Sequence, residues 1–253
     1  MSYLTLPTFD LHPLRLFSEE EPNVLKTVGV IGGLAPQSTS LFYDEVTRIC
    51  ITRGLSVYPQ LLLNSVNCLE VVNILSRRDM EGLFQYLSHE IGLFQERADF
   101  MVMVCNSVHA VLEQLRVQLP IPIMAIHEEV CKDIALQNIK RVGILGTQTT
   151  IENAFYQNEL DSYGIDHCIL PAEQVAAFDH FIFAEMIHGR GKGTMKRLIL
   201  EGIRNLEQQG CEAVILGCTE LQLFVSQKDS AMPLFLSTQI LARATVEASY
   251  GRW

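Results

Sequence analysis

Met-Val-Met-Val-Cys-Asn-Ser-Val-His, from Met101 to His109, has a counterpart in Ala-Val-Ile-Leu-Gly-Cys-Thr-Glu-Leu, from Ala213 to Leu221. Each stretch is an apolar run followed, directly or after one glycine, by a cysteine and two polar residues that favour helix starts. Such a pattern predicts a buried parallel strand that carries a thiol at its carboxyl end. Because open α/β sheets bind ligands at that end, both cysteines are candidates for a functional site.

The similarity between the two stretches extends upstream. Gly29 to Gly33 reads Gly-Val-Ile-Gly-Gly and Gly143 to Thr147 reads Gly-Ile-Leu-Gly-Thr, at nearly the same distance before each cysteine. This repeat predicts an α/β fold of two similar lobes, each a mostly parallel sheet flanked by helices, pseudo-twofold related with the active site in the cleft between them. We assign residues 26–130 and 237–253 to the first lobe, 131–236 to the second lobe, and 1–25 to an N-terminal extension.

Composition and charge exclude several classes of function. The 253 residues are 48% hydrophobic and carry a formal charge of −10, which disfavours binding to nucleic acid or an anionic membrane. No run reaches the roughly 18 apolar residues of a membrane span, and the first 25 residues lack the features of a signal peptide. The seven cysteines show no zinc-ligand spacing and no disulfide framework, so no metal is expected. These features predict a cytoplasmic protein.

The rest of the sequence predicts alternating strands and helices. The turn Gly32-Gly33-Leu34-Ala35-Pro36 should lead into a helix capped by Ser38 or Thr39, and Asp79 should cap another helix. The glycines of this turn lack the Gly-x-Gly-x-x-Gly spacing of dinucleotide-binding folds. Further strands are expected at Lys26 to Ile31, Pro59 to Val66, Ile123 to Ile126, Lys140 to Leu145, Ile165 to Leu170 and Pro233 to Leu236.

Cys105 and Cys218 differ from the other cysteines in position. Free cysteine usually behaves as a small buried hydrophobe, and five residues receive that interpretation: Cys50, Cys68, Cys131, Cys168 and Cys211. Cys105 and Cys218 each follow a predicted strand, precede a predicted helix and occupy equivalent places in the two halves. A helix N-terminus stabilises a thiolate and can lower its pKa from about 8.5 toward working pH. Two such thiols facing one cleft would provide one base and one acid.

Four segments resemble the signature motifs of the aspartate/glutamate racemase family, the cofactor-independent amino-acid racemases. They are Gly32-Gly33-Leu34-Ala35-Pro36, Cys105-Asn106-Ser107-Val108-His109, Gly146-Thr147-Gln148-Thr149-Thr150-Ile151 and Leu216-Gly217-Cys218-Thr219-Glu220. The resemblance covers about residues 26–248. It implies two lobes that enclose an amino-acid substrate, Cys105 and Cys218 acting on opposite faces of the substrate Cα, no cofactor, and a homodimer. It also implies substrate contacts from Asn106, Ser107, Thr147, Thr150 and Thr219.

The chain departs from the family pattern at positions that bear on substrate choice. The usual Gly-Gly-Met-Gly-Pro is Gly-Gly-Leu-Ala-Pro here, and the usual Cys-Asn-Thr is Cys-Asn-Ser. An aspartate and a histidine often found in the last strand and helix are replaced by Leu236 and Leu241. The departures leave the pair of cysteines intact.

Removing a Cα proton builds charge on the substrate carboxylate, so hydrogen-bond donors must be aimed there. Amides after Asn106 and Thr219, and hydroxyls at the strand ends, can supply them, although several of these residues could equally serve as helix caps. Glu220 either orients the Cys218 loop or favours the first helical turn. Further substrate-binding candidates are Leu34, Ser65 and Glu220, with Arg48 and the His188 to Lys192 loop as cations for a second carboxylate.

These observations favour a racemase that needs no pyridoxal phosphate, with aspartate or glutamate as substrate and a thiolate/thiol pair as the two bases. One alternative is a related isomerase or decarboxylase of a dicarboxylic acid, although decarboxylation needs only one proton donor. Another is a non-catalytic protein that binds a small acid as a sensor. Loss of the Cα proton in D₂O distinguishes the enzyme from the sensor.

Overall fold

The computed structural model describes residues 25–184 and 192–253. Residues 1–24 of the expected N-terminal extension and residues 188–191 of the cationic loop lie outside the described residues. Two parallel four-stranded sheets form the framework. The first contains β1 (Val28–Gly32), β2 (Leu61–Ser65), β3 (Phe100–Met103) and β4 (Ile123–Met124); the second contains β5 (Arg141–Leu145), β6 (Asp166–Ile169), β7 (Ala213–Leu216) and β8 (Leu234–Leu236).

Helices connect and cover the strands. In chain order they are α1 (Pro36–Thr52), α2 (Cys68–Ser76), α3 (Met80–Gly92), α4 (Leu112–Gln118), α5 (Ile126–Ala135), α6 (Gln148–Glu152), α7 (Phe155–Ser162), α8 (Ala172–Ala184), α9 (Lys192–Gln208) and α10 (Ser237–Ser249). Within the described ranges, no helix is long and apolar enough to cross a membrane.

The two sheets have the same topology. The strand orders are β2-β1-β3-β4 and β6-β5-β7-β8, and every pairing is parallel. β3 and β7, which precede the two cysteines, therefore occupy the same interior place in their sheets. The predicted fold class is confirmed. The boundaries that we assigned to the lobes stay a prediction, because strand pairing does not define where a lobe begins.

Successive residues of β1 and β3 pack against helices on opposite faces of the first sheet. Ile31 and Met101 belong to the core cluster beneath α2, α3 and α4, whereas Val30 and Val102 belong to the cluster with α1 and α10. Successive strand residues point to opposite faces, so a continuous apolar run fits a strand that is buried on both sides.

The turn after β1 brings backbone close to backbone. Gly33 has a φ of +81°, and an added Cβ would lie 2.5 Å from the carbonyl oxygen of Val66. Only glycine fits this position without strain. The expected cap at Ser38 or Thr39 is wrong, because α1 already begins at Pro36. The Thr39 hydroxyl instead accepts a hydrogen bond from the Gly33 amide at 2.9 Å.

Three local predictions need correction. The fourth strand covers only Ile123–Met124, and helix α5 begins at Ile126, where an extended continuation was expected. Helix α2 was not predicted, since its nine residues are nearly all apolar or weakly patterned. The segments after the two cysteines are short 3-10 helices, Ser107–Val111 and Leu221–Leu223, and not immediate α-helices.

Candidate active site

Cys105 and Cys218 line one small cavity between the two sheets, which we call the thiol cleft. Its volume is about 30 Å³, room for roughly one or two water molecules. The polar side chains that line it with the thiols are Asn106, Ser107, Thr147, Thr219 and Glu220. All five were predicted from the sequence, because each lies just beyond the carboxyl end of an interior strand.

A carboxylate dominates the surroundings of Cys218. The Cys218 thiol donates a hydrogen bond to Oε2 of Glu220 at 3.0 Å, and the Thr219 hydroxyl donates to the same oxygen at 3.1 Å. Burial, and then the negative charge of Glu220, raise the pKa of Cys218 well above its ordinary value. Burial also raises the pKa of Glu220 itself. The thiol at this end of the cleft is therefore held in its protonated form, aimed at an acceptor.

Backbone amides surround Cys105 instead. Burial raises the pKa of the Cys105 thiol to about 12, with a smaller contribution from Glu220, while amide hydrogen bonds from Val108 and Ser107 act in the opposite direction. The expectation that helix N-termini would lower both thiol pKa values is therefore wrong, since the pKa of each thiol is raised. Desolvation of a thiolate outweighs the partial charge of a few free amides.

His109 fixes the loop that carries Cys105. Its Nδ1 lies 2.9 Å from the Cys105 carbonyl oxygen, and its Nε2 lies 3.2 Å from the amide nitrogen of Ile126. The ring therefore donates from Nδ1 and accepts at Nε2. Burial and the neighbouring His127 lower the pKa of His109 to about 3, so it is neutral. His109 is a satisfied structural histidine, as predicted.

A buried hydrogen-bond chain holds Asn106. Its side-chain oxygen accepts from the Tyr156 hydroxyl at 2.7 Å, and its amide donates to the Ser237 hydroxyl at 3.2 Å. The Ser237 hydroxyl donates in turn to the carbonyl oxygen of Leu216, the last residue of β7. Asn106 thus connects the two sheets. No sequence pattern pointed to Tyr156 or Ser237, because these contacts exist only in the folded chain.

A second chain of hydroxyl groups crosses between the sheets. Ser107 and Thr147 lie 2.9 Å apart through their hydroxyl oxygens, and Thr147 and Thr150 lie 3.0 Å apart. Thr147 also caps α6, as predicted, by accepting from the Thr150 amide. Thr150 is fully buried behind Thr147. Ser107 and Thr147 therefore line the cleft, while Thr150 supports them from behind.

The remaining wall of the cleft is apolar. It is formed by Leu34, Val71, Val72, Leu75 and Ile182. Leu34 was among the predicted contacts, whereas the residues of α2 and α8 were not. An apolar helix face reads as ordinary core in a sequence, and only the packing of α2 against the cleft shows that part of it faces the site.

Two predicted contacts lie elsewhere. Arg48 donates from Nε to Glu45 at 2.8 Å and lines a separate cavity with residues of α5 and α10. Ser65 is exposed at the end of β2 and does not line the cleft. The side chains of the His188 to Lys192 loop lie outside the described residues. In the described ranges, no group of three or more His, Cys, Asp or Glu side chains is placed to hold a metal ion.

The fold is that of a two-sheet α/β protein with a cleft between the sheets, and comparison with known proteins identifies the family. The sequence matches the family of Asp/Glu/hydantoin racemases over residues 31–245. The chain therefore belongs to that family, whose members are isomerases, and the resemblance drawn from its four motifs is confirmed.

Individual relatives agree with this assignment. The broad specificity amino-acid racemase RacX of Bacillus subtilis is 27% identical over 228 residues, which are 87% of this chain and 96% of that protein. A glutamate racemase of Limosilactobacillus reuteri is 27% identical over 141 residues, about half of each chain.

Solved structures give the same result. PH1733, an aspartate racemase homologue from Pyrococcus horikoshii, aligns with 89% of this chain and 99% of its own, with a TM-score of 0.73 and 27% identity. A putative Asp/Glu racemase from Yersinia pestis covers the same shares with a TM-score of 0.77 and 28% identity.

Proposed function

We propose that this enzyme racemises a free α-amino acid without a cofactor, using Cys105 and Cys218 as the two acid/base groups. The observation that carries the proposal is that two thiols, each following an equivalent interior strand, line one small cleft. A decarboxylase needs only one proton donor, so the second thiol favours the racemase.

The proposed reaction moves one proton off the substrate and one onto it. One cysteine reacts as the thiolate and takes the Cα proton, becoming a thiol. The opposing thiol gives its proton to the other face of the same carbon and becomes the thiolate. Negative charge that develops on the substrate carboxylate is stabilised by hydroxyl donors of Ser107, Thr147 and Thr219 and by nearby amides.

The high thiol pKa values of the closed cleft suggest a role for the substrate. An amino acid enters with an ammonium group next to its Cα. That positive charge stabilises a neighbouring thiolate and compensates for the burial that raises the pKa values of Cys105 and Cys218. Glu220, as a half-buried carboxylate in the cleft, is a suitable acceptor for the same ammonium group.

The cleft must also open. Its volume of about 30 Å³ holds roughly one or two water molecules, which is too little for an amino acid. The contacts that would separate are those between the sheets, including Ser107 with Thr147 and the exposed ion pair of Arg78 with Glu152.

The sequence predicts an acidic substrate, aspartate or glutamate. The glutamate racemase among its relatives supports that prediction, whereas the broad specificity of RacX shows that the family is wider. Of the two cationic groups that the sequence offers for a second substrate carboxylate, Arg48 lies outside the cleft. The exchange assay should therefore include aspartate and glutamate together with other classes of amino acid.

The proposal is tested by incubating the enzyme with each L- and D-amino acid in D₂O, without pyridoxal phosphate, and following Cα–H loss by NMR. Racemisation should accompany exchange, and both should fail in the Cys105→Ser, Cys218→Ser double variant. Binding in a thermal-shift assay without any exchange would contradict the proposal and favour a small-acid sensor.

We further propose that the enzyme works in the cytoplasm as a homodimer, with the Cys105 lobe supplying more of the interface. All seven cysteines are free thiols, the form that a reducing compartment maintains. Twofold dimers are the commonest oligomers. Sedimentation at micromolar concentration should give a dimer, and a monomer there would contradict that assembly.

A further inference from the structure

The part of the thiol cleft that is free of reacting groups is aliphatic. Leu34 contributes from the turn after β1, Val71, Val72 and Leu75 from α2, and Ile182 from α8. The polar residues of the cleft are those already required by the thiols and by the substrate carboxylate. A side chain that extends away from the reacting carbon therefore meets methyl and methylene groups.

The charges of the cleft lead to the same conclusion. Glu220 is the one charged side chain that lines it among the described residues. A zwitterionic amino acid fits this arrangement, because its ammonium group meets Glu220 and its carboxylate meets neutral donors. Among the described residues, a second carboxylate would meet no cation in the cleft and would lie near a carboxylate of like charge, which is costly in a site with little water.

The described residues just outside the cleft do not supply an unpaired lysine or arginine. Val72 and Leu75 are shared with an outer cavity of about 560 Å³ between α2, α6 and α8. Arg78 lines that cavity, but it is paired with Glu152, and Asp179 lies there as a second carboxylate. Among the described residues that line the outer cavity, no unpaired lysine or arginine is available to an anionic side chain.

We infer that the substrate of this racemase carries an uncharged aliphatic side chain, as leucine, valine or methionine does, and that α2 supplies most of the surface that selects it. This inference rests on the proposed function and narrows its substrate class. It departs from the acidic substrate that the sequence predicted, because the structure places Arg48 away from the cleft and a valine-leucine face beside it.

The first experiment compares kcat/KM for leucine, valine, methionine, aspartate, glutamate and lysine by Cα–H exchange in D₂O. We expect the best aliphatic substrate to exceed the charged ones by about 10-fold or more, the scale on which apolar pockets discriminate. A preference for aspartate, glutamate or lysine would overturn the inference and leave the racemase intact. Exchange with none of the free amino acids would overturn the proposed function and the inference together.

The second experiment places a cation in the wall. Val72→Arg should lower kcat/KM for leucine. It should also raise the ratio of kcat/KM for aspartate to kcat/KM for leucine by about 10-fold, since an ion pair then offsets the cost of burying the side-chain carboxylate. Leu69→Arg is the matched control, because Leu69 lies on the same helix, is 58% exposed and does not line the cleft. Thermal unfolding of both variants identifies any folding defect.

The deciding quantity is kcat/KM for aspartate divided by kcat/KM for leucine. An equal change in the two variants would contradict the role of α2 in selecting the substrate. If Val72→Arg does not fold, the comparison of substrates on the unmodified enzyme still decides the inference.

Discussion

The Cys105 lobe and the Cys218 lobe have the same strand order, yet they surround their thiols with different groups. Cys105 is met by the amides of Ser107 and Val108 and is fixed from behind by His109. Cys218 is hydrogen-bonded to the carboxylate of Glu220. The repeated sheet fixes where a thiol lies, whereas the few residues after it determine the charge that the thiol experiences. A symmetric fold thus contains an asymmetric acid/base pair.

The largest expected effect comes from removing either thiol. In Cys105→Ser or Cys218→Ser a hydroxyl that scarcely ionises replaces a thiol, and we expect racemisation to fall by roughly 10²- to 10⁴-fold or more. Each variant keeps one base, so Cα–H exchange should persist for one enantiomer only, and the two variants should favour opposite enantiomers. NMR in D₂O with separate L and D substrates measures this difference.

Two core cysteines provide the controls for these variants. Cys50 and Cys211 are buried away from the cleft, so Cys50→Ser and Cys211→Ser should leave kcat/KM per folded molecule nearly unchanged. If Cys105→Ser or Cys218→Ser racemises at close to the parent rate, the two-thiol mechanism is wrong.

A smaller effect is expected from Glu220→Gln, which removes the feature that makes the thiols unequal. The negative charge of Glu220 raises the pKa of both cleft thiols, so its loss lowers both, and more strongly for Cys218, which also loses its hydrogen bond. Because the base reacts as a thiolate, the acidic limb of the kcat/KM profile should move to lower pH. Loss of the charged acceptor for the substrate ammonium group should also reduce kcat/KM by about 10-fold.

The matched control is Glu152→Gln, which removes an exposed carboxylate that pairs with Arg78 outside the cleft. Its pH profile should coincide with that of the parent enzyme. An unshifted acidic limb in Glu220→Gln would mean that this carboxylate does not set the acidity of the thiols.

The smallest effect should come from Tyr156→Phe, which tests how the Cys105 side is held by the opposite lobe. Loss of the buried hydroxyl leaves the side-chain oxygen of Asn106 without its 2.7 Å donor, and this costs about 1–3 kcal/mol of unfolding free energy. Urea unfolding measures that cost. Tyr163→Phe, at an exposed position, should change stability by less than about 0.5 kcal/mol, and equal losses in both would contradict a structural role for the contact.

The sequence predicts the fold, and the position of both thiols beside one cleft, because both depend on local pattern. A buried parallel strand is a contiguous apolar run, and the residue at its end lies at the ligand-binding edge wherever the strand pairs. Cys105, Cys218 and their polar neighbours could therefore be found without coordinates. Thr147 as a helix cap follows from the same kind of local signal.

The contacts that were missed depend on packing between distant segments. Arg48 is close in sequence to the Gly33 turn, but the rotation of α1 directs it to Glu45 and a different cavity. The cleft wall on α2 and the hydrogen bonds of Asn106 to Tyr156 and Ser237 are likewise set by tertiary structure. The direction of the thiol pKa shifts was missed for the same reason, because the sequence at the end of a strand does not show how far other segments bury the thiol.

The hydrogen bond between Cys218 and Glu220 has a consequence set by thermodynamics. Mirror-image amino acids have equal free energies in water, so the reaction has an equilibrium constant of one. Microscopic reversibility then requires kcat/KM to be the same for the L and D substrates, however unequal the two thiols are. The difference between the two thiols can therefore appear only in the separate values of kcat and KM. It does so if one enantiomer is bound more tightly than the other before its proton is removed. An enantiomer with the lower KM should therefore turn over more slowly by the same factor.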